Sequence, residues 1–205
     1  MKRIILSVLA CWTLTVFGQK LDFSLSAGTG KTYIFESIDK SVNVNYSLPM
    51  SLMTEVKFTP KNKSWGVKLR AHQLQSSVTG ENWENKSPLN GYINSLTTSL
   101  LLENEITKGK FSYGLNFGMG LTKETVQQQQ YNSFDKKNSS YASLIFGGHL
   151  SYKLSKDFDF QILPTLNWQD PFKTIGVLTG NRKANFAGED LSALINFGIR
   201  YRILQ

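Results

Sequence analysis

Cysteine is almost missing from this chain: the single one, Cys11, falls inside an N-terminal apolar segment. If that segment is removed, the remaining chain has no thiol, which excludes disulfides, zinc–thiolate centres and cysteine nucleophiles together. Long apolar runs are missing too. Beyond residue 18 no window holds the eighteen or so uninterrupted apolar residues of a membrane-crossing helix. Basic runs are equally scarce. The 23 Lys and Arg outnumber the 15 Asp and Glu, but they scatter through turns, loops and one strand face, a distribution that argues against a nucleic-acid partner.

What is present begins with Met1-Lys2-Arg3, followed by an apolar run from Ile4 to Phe17 and a change of pattern at Gly18-Gln19. A charged start, a short apolar stretch and small residues at the break describe a secretory signal peptide over residues 1–18. Its run is too short to span a bilayer as a helix. Cys11 after Val8-Leu9-Ala10 loosely resembles a lipidation signal, but the sequence after it stays apolar where a polar tether belongs. Loss of the leader, with Lys2 and Arg3 and no acid, lowers the formal charge from +8 to +6. Residues 19–205 are enough for one domain.

Period two dominates that domain. Val42, Val44, Tyr46, Leu48, Met50, Leu52, Val56 and Phe58 alternate with Asn43, Asn45, Ser47, Ser51, Glu55 and Lys57, which predicts one long two-faced strand. Seven further sets recur, beginning near Leu21, Trp65, Tyr92, Phe111, Ala142, Phe158 and Leu191. The Phe111 strand shows which face is inside. Opposite Phe111, Tyr113, Leu115, Phe117 and Met119 stand Ser112, Gly114, Asn116, Gly118 and Gly120, small enough for the interior of a narrow eight-stranded barrel. The bulky face then meets lipid. These observations predict an all-β fold: an eight-stranded antiparallel up-and-down transmembrane β-barrel.

Links near Pro60, Lys108 and Lys156 are short, whereas residues near 36–41, 75–91, 123–140 and 169–189 make polar and mostly long ones, the alternation of turns and external loops that such barrels use. Aromatic residues are expected in two rings at the membrane interfaces. Phe58, Trp65, Phe111, Tyr152, Phe158 and Tyr201 belong to the ring beside the short turns, and Tyr46, Tyr92, Tyr141 and Trp168 to the other.

Inward parity falls on Asp22, Glu55, Lys57, Lys68, Arg70, Glu103, Lys153, Asp159, Arg200 and Arg202, mostly toward the periplasmic half. Buried charges must be paired, so a lumenal ion-pair network that plugs the barrel is expected. Opposing Phe58 to Trp65 across the turn would set Glu55 against Lys68, and closure would bring Arg200 beside Asp22. Gly28-Thr29-Gly30-Lys31-Thr32 ends like a phosphate-binding loop but lacks its first glycine and its helix. His149-Leu150-Ser151 faintly resembles the His-x-Ser pair of lipid A deacylases, yet both polar residues have inward parity. No catalytic residue, metal ligand or cofactor site is assigned.

The segment Asn196-Phe197-Gly198-Ile199-Arg200-Tyr201-Arg202-Ile203 resembles the C-terminal signal by which outer-membrane barrels engage their assembly machinery. With the leader and Tyr46-Ser47-Leu48-Pro49-Met50 opening a strand, the mature chain resembles the broad outer-membrane barrel family that includes PorT-like proteins. That resemblance implies a Gram-negative outer-membrane address, lipid contact and assembly by the barrel-insertion machinery. It implies no single activity. Of three readings, a non-enzymatic structural or partner-binding barrel, with secretion-accessory or adhesive roles as special cases, fits better than a lipid-modifying hydrolase or a narrow channel. Trp83, Tyr131, Phe134, Phe172 and Phe186 in the loops are candidate anchors for a protein partner.

Overall fold

The computed structural model describes residues 20–33, 42–82, 88–130, 133–171 and 191–204. The expected signal peptide (residues 1–18) and the candidate anchors Trp83, Tyr131, Phe172 and Phe186 lie outside the described residues, as does the side chain of Phe134. The strands are β1 (Lys20–Tyr33), β2 (Val42–Tyr46), β3 (Met50–Thr59), β4 (Trp65–Asn82), β5 (Pro88–Asn104), β6 (Ile106–Lys108), β7 (Phe111–Gln130), β8 (Ser133–Lys153), β9 (Phe158–Gln169) and β10 (Leu191–Leu204). β2 and β3 both pair with β4, and β5 and β6 both pair with β7, so the strands make eight staves. β1 pairs with both β3 and β10, which closes the antiparallel sheet into a barrel. Within the closed ring each described stave has a partner on both sides, the condition for crossing a bilayer in strands.

Alternation sorts the two faces as expected. Leu115, Met119 and Leu121 are 76%, 66% and 72% exposed, while Ser112, Asn116 and Thr122 on the same strand are buried. A belt of exposed Leu, Phe, Met and Ile surrounds the barrel. No water-facing surface carries so continuous an apolar area without a partner; lipid is that partner.

The single long strand predicted from Val42 to Phe58 is broken. Tyr46 pairs with Val78 and Met50 with Gln75, so three residues, Ser47 to Pro49, oppose two on β4. Pro49 has no N–H to give the ladder, and Ser47 takes over: its N–H donates to Ser77 O at 2.9 Å and its Oγ accepts from Ser77 N at 2.9 Å. The bulge moves the register by one, so alternation read across it does not carry the face of Tyr46. The side chain of Tyr46 lies outside the described residues.

Two of the predicted long loops are mostly strand. β4 and β5 stay paired as far as Glu81 and Pro88, and β7 and β8 as far as Gln130 and Ser133. Backbone pairing needs no apolar face once the chain has left the membrane, so these polar segments continue as hairpins beyond the belt. The opposite end has short turns through Lys63, Gly109 and Lys156, and both described termini; in outer-membrane barrels this end faces the periplasm.

Candidate functional site

The lumen holds the chemistry of this fold, and its contents are layered. Nearest the periplasm a chain of ion pairs alternates in sign at every link. Arg70 Nε donates to Glu55 Oε1 at 2.7 Å, and Glu55 Oε2 meets Lys68 Nζ at 3.2 Å. Lys68 also pairs with Glu103, whose other oxygen takes Lys57 Nζ at 2.8 Å. Lys57 in turn pairs with Glu105, and Glu105 accepts both ends of the Arg200 guanidinium at 2.9 and 3.2 Å. Arg200 and Arg202 share Asp159 at 2.6 and 2.7 Å. Asp22 sits in register between Lys57 and Arg202. Of the charges expected inside, Asp22, Glu55, Lys57, Lys68, Arg70, Glu103, Asp159 and Arg200 are buried in the barrel, Arg202 is half-buried, and Lys153, at the end of β8, is exposed at the rim instead.

Two predicted pairings differ. The turn at Pro60 sets Phe58 against Val67, not Trp65, so Glu55 faces Arg70 and Lys57 faces Lys68 in register. Lys68 still reaches Glu55, but diagonally. Closure does bring Arg200 near Asp22, but diagonally: Asp22 is level with Arg202, and Arg200, opposite Ser24, bonds Glu105 and Asp159. Glu105 itself escaped the sequence reading, although it has the parity of Glu103 and the pairing of β6 continues the register of β5. Asn104 O approaches Gly114 so closely that a Cβ there would meet it at 1.6 Å, and the strand is interrupted at that point.

Above the charges lies an apolar layer. Met53, Leu101 and Leu163 are 0% exposed and Ile145 and Leu194 2%, and each lies one or more inward positions further from the periplasm than the charged residue on its strand. Sequence reasoning missed them, yet a signal exists: four of the five sit where alternation lapses into consecutive apolar residues, as in Leu100-Leu101-Leu102 and Leu144-Ile145-Phe146. Higher still are hydroxyls: Thr97, Thr122 and Ser143 are linked at 2.7 and 2.6 Å, and Ser51 meets His72 at 2.9 Å.

Tyr141, assigned by sequence to the outer aromatic ring, belongs to this upper lumen. It pairs with inward Thr122, and its hydroxyl lies 2.5 Å from a Glu124 carboxylate oxygen and 2.7 Å from the Gln169 amide oxygen, its one proton shared between them. Its odd number matches inward Ser143 and Ile145 on β8, so parity should have overruled its place beside a loop. Among the remaining girdle residues, the rings of Phe111 and Tyr152 meet tilted at 5.1 Å and those of Phe158 and Tyr201 at 5.0 Å, beside the short turns. Phe58 and Trp65 flank the first turn, and Tyr92, 54% exposed, and Trp168 stand toward the other end.

His149 and Ser151 point into the barrel and are buried. Ser151 Oγ accepts from Gln161, and the His149 nitrogens lie 3.6 and 3.9 Å from Glu103 and Glu105. These three residues bring ligand atoms within 4.8 Å of one another. Both carboxylates, however, are already neutralised by Lys57, Lys68 and Arg200. Gly28 and Gly30 lie in extended β1, where a Cβ would meet β10 backbone at 2.1 and 1.9 Å, so close strand packing explains the glycines that mimic a phosphate loop.

No family model matches the sequence, and no curated protein does. Solved structures do match in fold. A major outer-membrane protein from Thermus thermophilus superposes with a TM-score of 0.60 at 12% identity, covering 89% of this chain and 99% of that one. OprG, an outer-membrane protein from Pseudomonas aeruginosa, gives 0.56 at 12% identity over 92% and 97% of the two chains. Ail, the attachment invasion locus protein of Yersinia pestis, solved with the heparin analogue sucrose octasulfate, gives 0.51 at 13% identity over 90% and 97%. Fold, lipid-facing belt and polar interior together define the class: a small integral outer-membrane β-barrel of eight staves.

Proposed function

We propose that this barrel is a non-catalytic, non-conducting membrane scaffold that presents its external hairpins to a protein partner. The observation that carries this reading is the filling of the lumen, with an apolar layer stacked on an ion-pair chain and polar hydroxyls above. A filled interior makes the wall rigid and leaves recognition to what projects from it. Among the described residues the β4–β5 and β7–β8 hairpins project beyond the belt, and their polar strands offer backbone and amide groups to a partner outside the cell. Adhesion, as the name of Ail indicates for that protein, is one such role. A secretion-accessory role of the PorT-like kind is another.

Photo-crosslinking from positions on the two hairpins in intact envelopes tests the reading. It predicts a discrete adduct formed from hairpin positions and not from lipid-facing ones. Absence of any adduct, together with a lipid A mass changed by overexpression, would favour the hydrolase instead. Blocked export of other proteins on deletion would mark the secretion-accessory case.

A further inference from the structure

The charge left over after the lumen is balanced lies in one place. Every described cation inside the barrel belongs to the ion-pair chain, matched by Asp22, Glu55, Glu103, Glu105 and Asp159. Toward the external end the described residues balance as well, Lys31, Lys123, Lys136 and Lys137 against Glu81, Glu124, Asp135 and Asp170. Among the described residues the positive excess therefore falls on the periplasmic rim.

Each of the three short turns carries two lysines: Lys61 and Lys63, Lys108 and Lys110, Lys153 and Lys156. Lys20 stands at the seam where β1 meets β10, and all seven are exposed. The acid among them is Asp157. Turns and seam alternate with pairs of staves, so the lysines recur at quarter intervals around the ring. They are held at a fixed height. Asn62 and Gly109 take φ of 58° and 62° in tight turns, Lys63 N donates to Pro60 O at 3.2 Å, and Lys153 N donates to Lys110 O at 2.8 Å, tying neighbouring turns together. The aromatic ring lies immediately above: Lys108 pairs with Phe111, which packs tilted against Tyr152, and Trp65 and Phe58 flank the first turn.

We propose that this collar binds anionic phospholipid headgroups of the leaflet that faces the periplasm. Lysine stems can run along the apolar edge while their ammonium groups reach the phosphates, and basic groups at such a surface attract acidic lipid. A soluble acidic partner would need one patch. A leaflet meets the barrel on all sides, and all sides are basic. The inference rests on the membrane-embedded fold and not on the proposed partner at the external hairpins.

The test uses the folded mature chain in vesicles of phosphatidylethanolamine and phosphatidylglycerol, with the lipid retained on gentle extraction counted by mass spectrometry. The expected result is a several-fold enrichment of phosphatidylglycerol over its bulk share. Changing the six turn lysines to glutamine brings the ratio close to bulk, while the same number of Lys or Arg→Gln changes in the external segments leaves it high. Raising ionic strength lowers the enrichment of the unaltered protein, since surface attraction is screened. A bulk ratio for the unaltered protein, an equal loss in both variants, or enrichment indifferent to salt would overturn the proposal. So would lysine-dependent binding to purified peptidoglycan without any lipid preference.

Discussion

Arg200 on β10 and Glu105 beyond β5 stand on opposite sides of the ring, yet the guanidinium spans the lumen to both carboxylate oxygens at 2.9 and 3.2 Å. This contact ties together strands that the sheet itself keeps apart. Replacing Arg200 with Met leaves Glu105 and Asp159 short of a buried partner, and removing one member of such a network costs about 3–5 kcal/mol. Glu105→Gln should also destabilise, and the double variant should lose clearly less than the two single losses combined. Urea unfolding in lipid vesicles measures all three; strict additivity would show that the residues are not coupled.

The register of the first turn is open to a direct chemical check. Val56 and Leu69 are directly paired and both face outward. Cysteines placed at these two positions should crosslink readily, because residues 19–205 supply no competing thiol. A pair at Val56 and Val67, the arrangement that follows from opposing Phe58 to Trp65, should crosslink far less. The reverse ranking would restore the sequence-based register.

Tyr141→Phe removes the hydroxyl that Glu124 and Gln169 share. With those groups left inside the barrel, the loss should be about 1–3 kcal/mol. Tyr92→Phe on the lipid face should change stability by less than about half a kcal/mol. Equal effects would return Tyr141 to the outer aromatic ring.

Gly118 faces the lumen against Leu101, and a Cβ there would lie 2.1 Å from Leu100 O and 2.8 Å from a Leu101 methyl. Gly118→Ala is expected to reduce the folded, heat-modifiable fraction on a gel, and Leu101→Ala in the same chain should not restore it, because the nearer clash is with backbone. Normal folding of the single variant would contradict this packing.

Much of this architecture was legible from spacing alone. Residues such as Leu115 and Asn116 declare their faces because lipid and lumen ask for opposite chemistry at successive positions. The Glu55, Lys57, Lys68, Arg70 set was legible for the same reason, since charge has no place on the lipid side. Register was not legible, because Pro49 and the Pro60 turn each shift pairing without changing composition. The reach of Arg200 to Glu105 depends on closure of the ring, which no local pattern records. The apolar layer hid in plain view: Leu101 and Ile145 resemble extra lipid-facing residues until parity is enforced.

The filled lumen is tested most directly by single-channel recording of the folded protein in planar bilayers. The structure predicts no large steady conductance, with Met53, Leu101, Ile145, Leu163 and Leu194 closing the path above the ion pairs. A large, steady ohmic conductance from the unaltered barrel would contradict it.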